Sequence, residues 1–508
     1  MSAREVFDVV IVGGGTAGCV IARRLADDPA RRVCLIEAGP SDEHEPRALE
    51  LIRWSEMLEG EYDYDYRSIP QPHGNSAVRQ ARARILGGCS AHNNMIAWRP
   101  PVADLEEWLG LGATGWGPAE FLPLFDRLLT PIEPVASEHR NPYLVAFLEA
   151  ASSRLGVPLL DCFDAQATRE GAGFFSLGYS PATGRRSSAS AAYLHGALDA
   201  RPNLELKLET RALRLLFDDQ RRASGVELRH RDGSVSVVSA EREVVLCGGA
   251  IDSPRLLLHS GIGPTAQLRE LGIDVVADVP GVGENLVDHP EGLVVWELAK
   301  PLPPIAASQW DAGILLSLGG ERDAPDLLCH IPLLTFAMHP EALGFATPDL
   351  SATFTPNVAK PRSRGRVFLS SADPDLAPGY DPRYLSDPEG YDLATLVEGV
   401  HVARRIAAAP ELSEWIVRES FPGPEVTDPD ELAALVRATH HTVYHPCGTC
   451  RIGRDDDPLA VCDAELRVRG VRGLRIADAS VFPTITAVNP VVTVLMVGER
   501  AAELIAAT

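Results

Sequence analysis

The sequence is poor in basic residues and contains no long apolar run. Lys and Arg total 47 against 70 Asp and Glu, which gives the 508 residues a formal net charge of −23. A surface of that sign repels phosphate backbones, so we expect no nucleic-acid partner. No apolar stretch reaches the length that crosses a bilayer, so we also expect no membrane span.

Cysteine is present but lacks the pattern of a disulfide framework. The nine cysteines are an odd number scattered over a long chain, unlike the paired cysteines of small secreted domains. Cys447 and Cys450 form a CxxC, which is compatible with a redox dithiol or a zinc site. No second CxxC exists, so zinc would also need His445 and a distant ligand such as Cys462. We therefore predict no metal site.

The apolar N-terminal stretch FDVVIVGGGTAGCVIARRLA does not have the features of a secretory signal. It lacks a basic n-region, contains Asp8 and is interrupted by Gly13, Gly14 and Gly15. We therefore expect a cytoplasmic protein. With 45% hydrophobic residues the chain can bury a large core, and its length suggests two or three domains or one composite enzyme.

The same stretch predicts a dinucleotide site. FDVVIV is typical of a buried parallel strand, CVIARRLADD of a helix, and RRVCLIEAG of a second strand. Gly13, Gly15 and Gly18 occupy the GxGxxG positions between the first strand and the helix. They allow a tight turn, close approach of a pyrophosphate and close helix packing, while Glu37 can bind an adenosine ribose. The motif leaves FAD and NAD open.

Further nucleotide-type segments occur in the middle of the chain and near its C-terminal end. Residues 244–264 again predict a strand, a Gly-Gly turn and a helix, and VPGVGENLVDHPEG follows at 279–292. HHTVYHPCGTCRIG spans 440–453, and GLRIADAS leads to VNPVVTVLMVGERAAELI within 473–505. This arrangement indicates a nucleotide-binding domain interrupted by substrate-binding inserts.

The chain resembles the glucose-methanol-choline (GMC) flavin oxidoreductases in an ordered series of motifs. These are VVIVGGGTAG, RILGGCSAHNNM, GGAIDSPRLLLHSGIGP, GVGENLVDHP, YHP and ADASVFPT with NP. Within this family the chain is most similar to the choline oxidase type. The stretches that carry this similarity are GGCSAHN, DHPEG, SQW, TPN, SRGRV, DPRYLSDPEGYD and TVYHP. The resemblance implies FAD and an α/β fold, in which a Rossmann-like FAD-binding domain is interleaved with a sheet-plus-helices substrate-binding domain. The predicted segments are 1–145, 190–300 and 440–508 for the first domain, and 146–189 and 301–439 for the second.

The resemblance also implies a set of FAD-binding residues. They are Gly13, Gly15, Thr16, Ala17, Gly18, Glu37, Ala38, Gly87, Gly88, His92, Asn93, Asn94, Gly249, Asp478, Ala479 and Pro490. In the choline oxidase type, the histidine at position 92 is bonded to the flavin 8α carbon, and such a bond should raise the reduction potential. The alternative is a packed or hydrogen-bonded histidine. Asn94 departs from the serine expected there.

Alcohol oxidation by a flavin transfers hydride to N5 and needs a base for the hydroxyl proton. His445 matches the family's catalytic histidine, and Asn489 matches its His or Asn partner. An amide can hold the alcohol oxygen without competing for the proton. Without the resemblance, His445 would be interpreted as a buried histidine before a Pro turn and Asn489 as a turn initiator. His440 and His441 are interpreted as ordinary polar residues at a helix end.

For the substrate, aromatic faces and a carboxylate would hold a quaternary ammonium group. The candidates are Trp54, Phe336, Tyr444 and Asp311, although each aromatic could equally belong to the core. We expect oxidation of a primary alcohol to the aldehyde and in some cases on to the acid, with a choline-like substrate and O2 as oxidant. The alternative is a GMC dehydrogenase that acts on another alcohol and reduces a quinone or other carrier. A homodimer is one candidate oligomeric state.

Overall fold

The computed structural model describes residues 5–72, 77–163, 170–319 and 324–508. Its first sheet is built on the N-terminal strand, Glu5–Val12, which pairs in parallel with Val33–Ile36 and Val235–Leu246. The residues of Val33–Ile36 are all buried, as the apolar run predicts for a parallel strand covered on both faces. In spatial order the sheet contains Leu204–Lys207, Val33–Ile36, Glu5–Val12, Val235–Leu246, Ala223–His230 and Thr210–Phe217, and Leu474–Ile476 pairs with Val235–Leu246.

The second sheet is largely antiparallel. In spatial order its strands are Ile416–Phe421, Val294–Leu298, Ser351–Val358, Leu327–His330, Ala312–Leu316, Gly171–Phe174 and Leu159–Leu160. The short strand Pro290–Glu291 joins it by pairing with Ser351–Val358 and with His441–Thr442. That pairing brings two segments about 150 residues apart to one edge of the cavity described below.

Helices cover both sheets. The α-helices are Thr16–Leu25, Pro46–Leu49, Val102–Gly110, Pro118–Phe121, Pro142–Leu155, Ala189–Tyr193, Gly249–His259, Thr265–Glu270, Met338–Ala342, Tyr391–Ala407, Pro429–Thr439 and Val491–Ala506. Shorter strand pairs join Tyr66–Arg67 to Arg79–Gln80, Tyr179–Ser180 to Arg185–Arg186, Ile262–Gly263 to Ala277–Asp278, and Arg366–Phe368 to Gly379–Asp381. Ile96–Ala97, Ser176–Leu177 and Glu133–Pro134 form a three-stranded sheet. None of the helices in the described residues is long and apolar enough to cross a membrane.

The helix that follows the glycine turn, Thr16–Leu25, packs against the C-terminal helix, Val491–Ala506. Glu499 on the latter is fully buried and accepts hydrogen bonds from Arg24 and from the Tyr193 hydroxyl. A buried carboxylate is tolerated when it is paired and hydrogen-bonded in this way. The contact fixes the two helix N-termini that border the cavity.

The predicted division into two domains stays a prediction. The strands of the first sheet all lie in segments assigned to the FAD-binding domain. The second sheet, however, also takes Pro290–Glu291, Val294–Leu298 and His441–Thr442 from segments assigned to that domain. These strands pair with Ser351–Val358 or with one another, so the edge of the substrate-side sheet is made partly from the nucleotide-side segments.

We predict that Gly18→Ala destabilises the fold. A Cβ at Gly18 would lie 1.9 Å from the Gly13 carbonyl oxygen, so the helix could no longer approach the turn. Overpacking of this kind costs about 1–3 kcal/mol. Gly110→Ala is the matched control, because a Cβ there meets nothing within 4 Å. Urea unfolding should show a lower midpoint for the first variant only, and equal midpoints would contradict the close packing.

Candidate functional site

One cavity extends from the glycine turn of the first sheet to aromatic side chains of the second. The predicted cofactor residues that line it are Gly13, Gly15, Thr16, Ala17, Glu37, Ala38, Gly88, His92, Asn93, Asn94, Gly249, Asp478, Ala479 and Pro490. His445, Asn489, Trp54, Phe336 and Tyr444 line the same cavity. The structure therefore brings the predicted nucleotide, catalytic and aromatic residues together.

Three predicted residues do not line the cavity. Gly18 lies in the helix beneath the turn and packs on Gly13. Gly87, with φ +91°, precedes the 3-10 turn Gly88–Ala91. Both glycines shape the backbone around the site without facing it. The third residue is Asp311, which is treated below.

The nucleotide end suits a dinucleotide. The helix Thr16–Leu25 begins without a side-chain cap and without an acidic residue in its first turn, so its N-terminal N–H groups are available to phosphate oxygens. The Glu37 carboxylate accepts hydrogen bonds from Gly14 N at 2.8 Å and Gly39 N at 2.8 Å. Each of its oxygens keeps further acceptor capacity for ribose hydroxyls. The residues present fit the FAD that the sequence implies.

The loop after Gly88–Ala91 places donors and acceptors on the cavity wall. His92 Nε2 and Asn94 Nδ2 are buried and have no hydrogen-bond partner among the described residues. Asn93 Oδ1 accepts from Met95 N at 2.9 Å, which leaves its Nδ2 as a donor. The buried Arg186 guanidinium donates to the Asn93 carbonyl oxygen from behind the loop. Unsatisfied buried polar atoms on a cavity wall indicate a polar ligand.

The neutral His289 determines which ring nitrogen of the candidate base, His445, carries the proton. His289 Nε2 contacts the carbonyl oxygens of Ala359 and Thr486, both at 3.0 Å, so this nitrogen carries the proton. Burial lowers the pKa of His289 to about 3, and its Nδ1 is therefore an acceptor. His445 Nδ1 lies 2.9 Å from it and must donate. Burial, followed by the nearby His289, also lowers the pKa of His445 well below its usual value, so its Nε2 is unprotonated and free to accept a proton.

Asn489 is held in one amide orientation. Its Oδ1 accepts from Trp98 Nε1 at 3.0 Å and from His330 Nε2 at 3.4 Å. Asn357 Nδ2 donates to His330 Nδ1, which requires the proton on His330 Nε2. Asn489 Nδ2 is consequently the donor that faces His445 Nε2, at 3.3 Å. A donor and a basic nitrogen at this spacing suit the oxygen and the proton of one hydroxyl group.

A buried carboxylate, Asp288, holds the backbone of both histidines. Its Oδ1 accepts from His289 N and from His445 N, each at 2.8 Å. Its Oδ2 accepts from the side chains of Gln80, Tyr380, Tyr384 and Thr442. Six donors satisfy a charge that would otherwise be costly to bury. The imidazoles are thereby fixed through their main chain as well as through their rings.

The far end of the cavity is aromatic. The Trp54 and Trp310 rings meet edge to face at 6.3 Å, and those of Trp310 and Phe336 at 6.1 Å. Tyr444 has φ +64°, which costs a non-glycine residue about 1–3 kcal/mol. Its N–H donates to Thr442 Oγ1, and its carbonyl accepts from Arg82. Strain of this kind, held by specific contacts, is typical of functional sites.

The prediction that Asp311 supplies the carboxylate of this pocket is wrong. Asp311 is fully buried and does not line the cavity. Its carboxylate accepts from Ala307 N, Ser308 N and the Ser308 hydroxyl, at 2.8–2.9 Å. These bonds are local, as is common for aspartate in tight loops. Asp311 instead shapes the loop whose Ser308 carbonyl accepts from Trp54 Nε1 at 3.0 Å.

Glu291 is the carboxylate that the sequence analysis missed. It lines the cavity, is 2% exposed, and its Oε2 has no hydrogen-bond partner among the described residues. Burial raises the pKa of Glu291 to about 8, against a hydrogen bond with Thr355 that lowers it. The sequence contains a pattern that could have indicated a buried carboxylate near the site. This glutamate follows His289 by two residues in DHPEG and directly precedes the apolar run GLVVW.

The structure also places further residues at the site that the sequence did not predict there. His441 is not an ordinary polar residue at a helix end, because it is buried against Phe336 and Tyr444, with ring centroids at 5.0 and 5.2 Å. His440 does cap the helix Pro429–Thr439. Trp310 and His330 line the cavity as well. In the described residues no group of three or more His, Cys, Asp or Glu could hold a metal ion.

Comparison with known proteins agrees with this geometry. Models of the GMC oxidoreductases match residues 7–291 and 361–498. The chain is 44% identical to a choline oxidase of Arthrobacter globiformis, over 99% of this chain and 95% of that protein. It is 35% identical to an alcohol dehydrogenase [acceptor] of Pseudomonas putida, over 98% and 95%.

Among solved structures, pyridoxine 4-oxidase from Mesorbium loti superposes with a TM-score of 0.90 at 31% identity, covering 98% of both chains. The α/β fold predicted from the sequence is thereby confirmed. The chain belongs to the GMC oxidoreductases, a family of FAD-dependent enzymes that oxidise alcohols.

Proposed function

We propose that the protein oxidises a primary alcohol that carries a quaternary ammonium group, choline or a close analogue, to the aldehyde, and that O2 is the oxidant. The observation that carries this proposal is Glu291, a buried carboxylate in the cavity that also contains His445 and Asn489, with one oxygen that has no hydrogen-bond partner in the described part of the chain. The relative from Arthrobacter globiformis is named a choline oxidase, which supports the same substrate class.

The substrate cation would be held by charge and by aromatic faces. Trp54, Trp310, Phe336 and Tyr444 line the same cavity as Glu291. A quaternary ammonium group cannot donate a hydrogen bond from nitrogen, so it is recognised by ring faces and by a carboxylate. A neutral isostere would keep the aromatic contacts but lose the attraction to Glu291.

At the reacting end, His445 and Asn489 act on the hydroxyl group. His445 Nε2 accepts the hydroxyl proton, because His289 keeps the proton of His445 on Nδ1. Asn489 Nδ2 donates to the alcohol oxygen, because Trp98 and His330 occupy its Oδ1. FAD, when bound, supplies the hydride acceptor at N5 of its ring. The N-terminus of the helix Val491–Ala506, next to Asn489, favours negative charge on the bound cofactor.

We also propose that His92 carries the FAD covalently. His92 Nε2 is a buried nitrogen on the cavity wall without a partner among the described residues, which suits a bond to the cofactor. We further assign the enzyme to the cytoplasm. All nine cysteines lie in the described segments and are unpaired, as is typical of a reducing compartment. A homodimer stays a prediction.

The role of His445 predicts a slow variant. His445→Ala should bind FAD normally but lower the rate of anaerobic flavin reduction by choline by about 10²–10⁴-fold, because a positioned base is lost. Asn489→Ala should lower it less. His401→Ala, on the exposed face of Tyr391–Ala407, is the control. Stopped-flow absorbance measures all three, and a near-normal rate in His445→Ala would remove His445 from the mechanism.

The role of Glu291 predicts a loss of selectivity. The parent enzyme should prefer choline over 3,3-dimethylbutanol by about 1–2 kcal/mol, roughly five- to thirtyfold in kcat/KM. Glu291→Gln should abolish most of this preference and leave the neutral alcohol nearly unaffected. Asp311→Asn is the matched control and should keep the preference.

The pH dependence tests the same residue. Because the pKa of Glu291 is raised to about 8, its charge is fully present only above that pH and is lost as the pH falls through 8. The preference for choline should therefore increase between pH 7 and 9 in the parent and not in Glu291→Gln. Loss of the preference in Asp311→Asn instead would mean that the wrong carboxylate was assigned.

The covalent link predicts a coloured precipitate. After acid precipitation, the parent protein should retain its yellow colour, and a peptide with residues 85–97 should carry the mass of FAD. His92→Ala should release its flavin into the supernatant under the same treatment. If the parent protein also releases all its flavin, His92 only packs against the cofactor.

Steady hydrogen peroxide production with choline would separate the oxidase from a dehydrogenase that needs a quinone or another carrier.

A further inference from the structure

Behind the two histidines, and outside the cavity, lies a buried lysine. Lys360 follows the strand Ser351–Val358, and its side chain is 4% exposed. Its Nζ lies 2.9 Å from Asp104 Oδ1 and 2.9 Å from Glu107 Oε2, both on the helix Val102–Gly110. A buried ammonium group is costly unless it is paired, so these contacts are needed to keep it there.

The Lys360–Asp104 pair holds the backbone of the segment that ends in Asn489. Lys360 Nζ donates to Ile485 O at 2.6 Å. Asp104 Oδ2 accepts from Ala487 N at 2.6 Å. The two contacts flank Thr486, so the direction of the Thr486 carbonyl is set by one cation and one anion from distant parts of the chain.

The Thr486 carbonyl is one of the two that keep His289 in its tautomer. The other belongs to Ala359, the neighbour of Lys360, and each accepts from His289 Nε2 at 3.0 Å. Both acceptors are therefore adjacent in the chain to a contact of the Lys360–Asp104 pair. If either carbonyl turned away, His289 would be freer to place its proton on Nδ1 and could then no longer accept from His445.

Several charged groups surround the His289–His445 pair. Arg82 and Lys360 are the nearby cations, Asp288 accepts from both backbone N–H groups, Glu291 lies beside Asp288, and His330 is a neutral neighbour. Burial is the main cause that lowers the pKa of His289, and the Lys360 charge lowers it further. Asp104 and Glu107 pair with Lys360 and offset that charge.

We propose that Lys360 and Asp104 are positioning residues for His445: they hold the two carbonyls that fix the tautomer of His289, which in turn leaves His445 Nε2 free to accept the substrate proton. The proposal rests on the proposed role of His445 as the base, which His445→Ala tests separately. Neither Lys360 nor Asp104 lines the cavity, so both act through His289.

The test uses the FAD-loaded enzyme and the pH dependence of kcat/KM for the neutral alcohol 3,3-dimethylbutanol, so that the titration of Glu291, whose pKa is raised to about 8, does not enter the acid limb. Lys360→Met removes a positive charge near the histidine pair, so protonation becomes easier, and the acid limb should move up by about one pH unit. Asp104→Asn removes the buried one of the two carboxylates that pair with Lys360, so the positive charge is offset less and the limb should move down by a similar amount. The double variant removes both charges, and its limb should return toward the parent value.

A purely structural role would not produce opposite shifts. Arg404→Met is the matched control, because Arg404 likewise holds a carboxylate, Glu419, and two carbonyls, of Gly423 and Val426, but these are not the carbonyls that accept from His289. It should lower the melting temperature without moving the acid limb. In Lys360→Met, FAD content should be retained while the limiting reduction rate falls about tenfold.

Shifts in the same direction, or no shift, in Lys360→Met and Asp104→Asn would overturn the proposal and leave the pair as fold stabilisers. If Lys360→Met does not fold, Asp104→Asn and the double variant still decide the sign. If His445→Ala proves fully active, the proposed function fails first, and any shifts would then report another titrating group.

Discussion

The site depends on one buried neutral imidazole, that of His289, whose two ring nitrogens have opposite roles. Its Nε2 donates to two carbonyls, and its Nδ1 accepts from His445. A charged His289 would be a donor on both sides and would force His445 to present a different nitrogen. Because burial lowers the pKa of His289 to about 3, the imidazole is neutral and the arrangement is kept at neutral pH.

Several chain segments must meet for this to happen. His289 precedes the strand Pro290–Glu291, His445 follows His441–Thr442, and these strands pair with each other. Asp288 then ties the main chains of both histidines together. The second sheet is thus more than a platform for substrate, since its edge determines the spacing of the reacting groups.

The substrate end shows how two carboxylates of the same type can have different roles. Asp311 is satisfied by three donors of its own loop and stabilises that loop. Glu291 keeps an oxygen without a partner among the described residues, on the wall of the cavity. The difference is one of unsatisfied hydrogen-bonding capacity. A carboxylate that already has its donors offers a cation less than one that does not.

The nucleotide end was predictable from the sequence because its signals are local. A buried strand, three spaced glycines, a helix and Glu37 follow one another within about 35 residues, and backbone geometry alone brings them together. The resemblance to the GMC oxidoreductases extended this to the α/β fold and to His445 and Asn489. Each of these two residues lies in a short motif of its own in the C-terminal part of the chain, TVYHP and AVNPVV.

What only the tertiary structure decided is which side chains face each other across the two sheets. The sequence by itself determined the fold family, the cofactor class and the candidate base, since these follow from ordered motifs. It did not show which of Asp311 and Glu291 faces the cavity. The two residues are 20 positions apart, and only the strand pairing of Pro290–Glu291 directs Glu291 into the cavity. Tautomers, amide orientations and the Lys360–Asp104 pair likewise depend on contacts between segments up to about 390 residues apart, and no local pattern encodes such contacts.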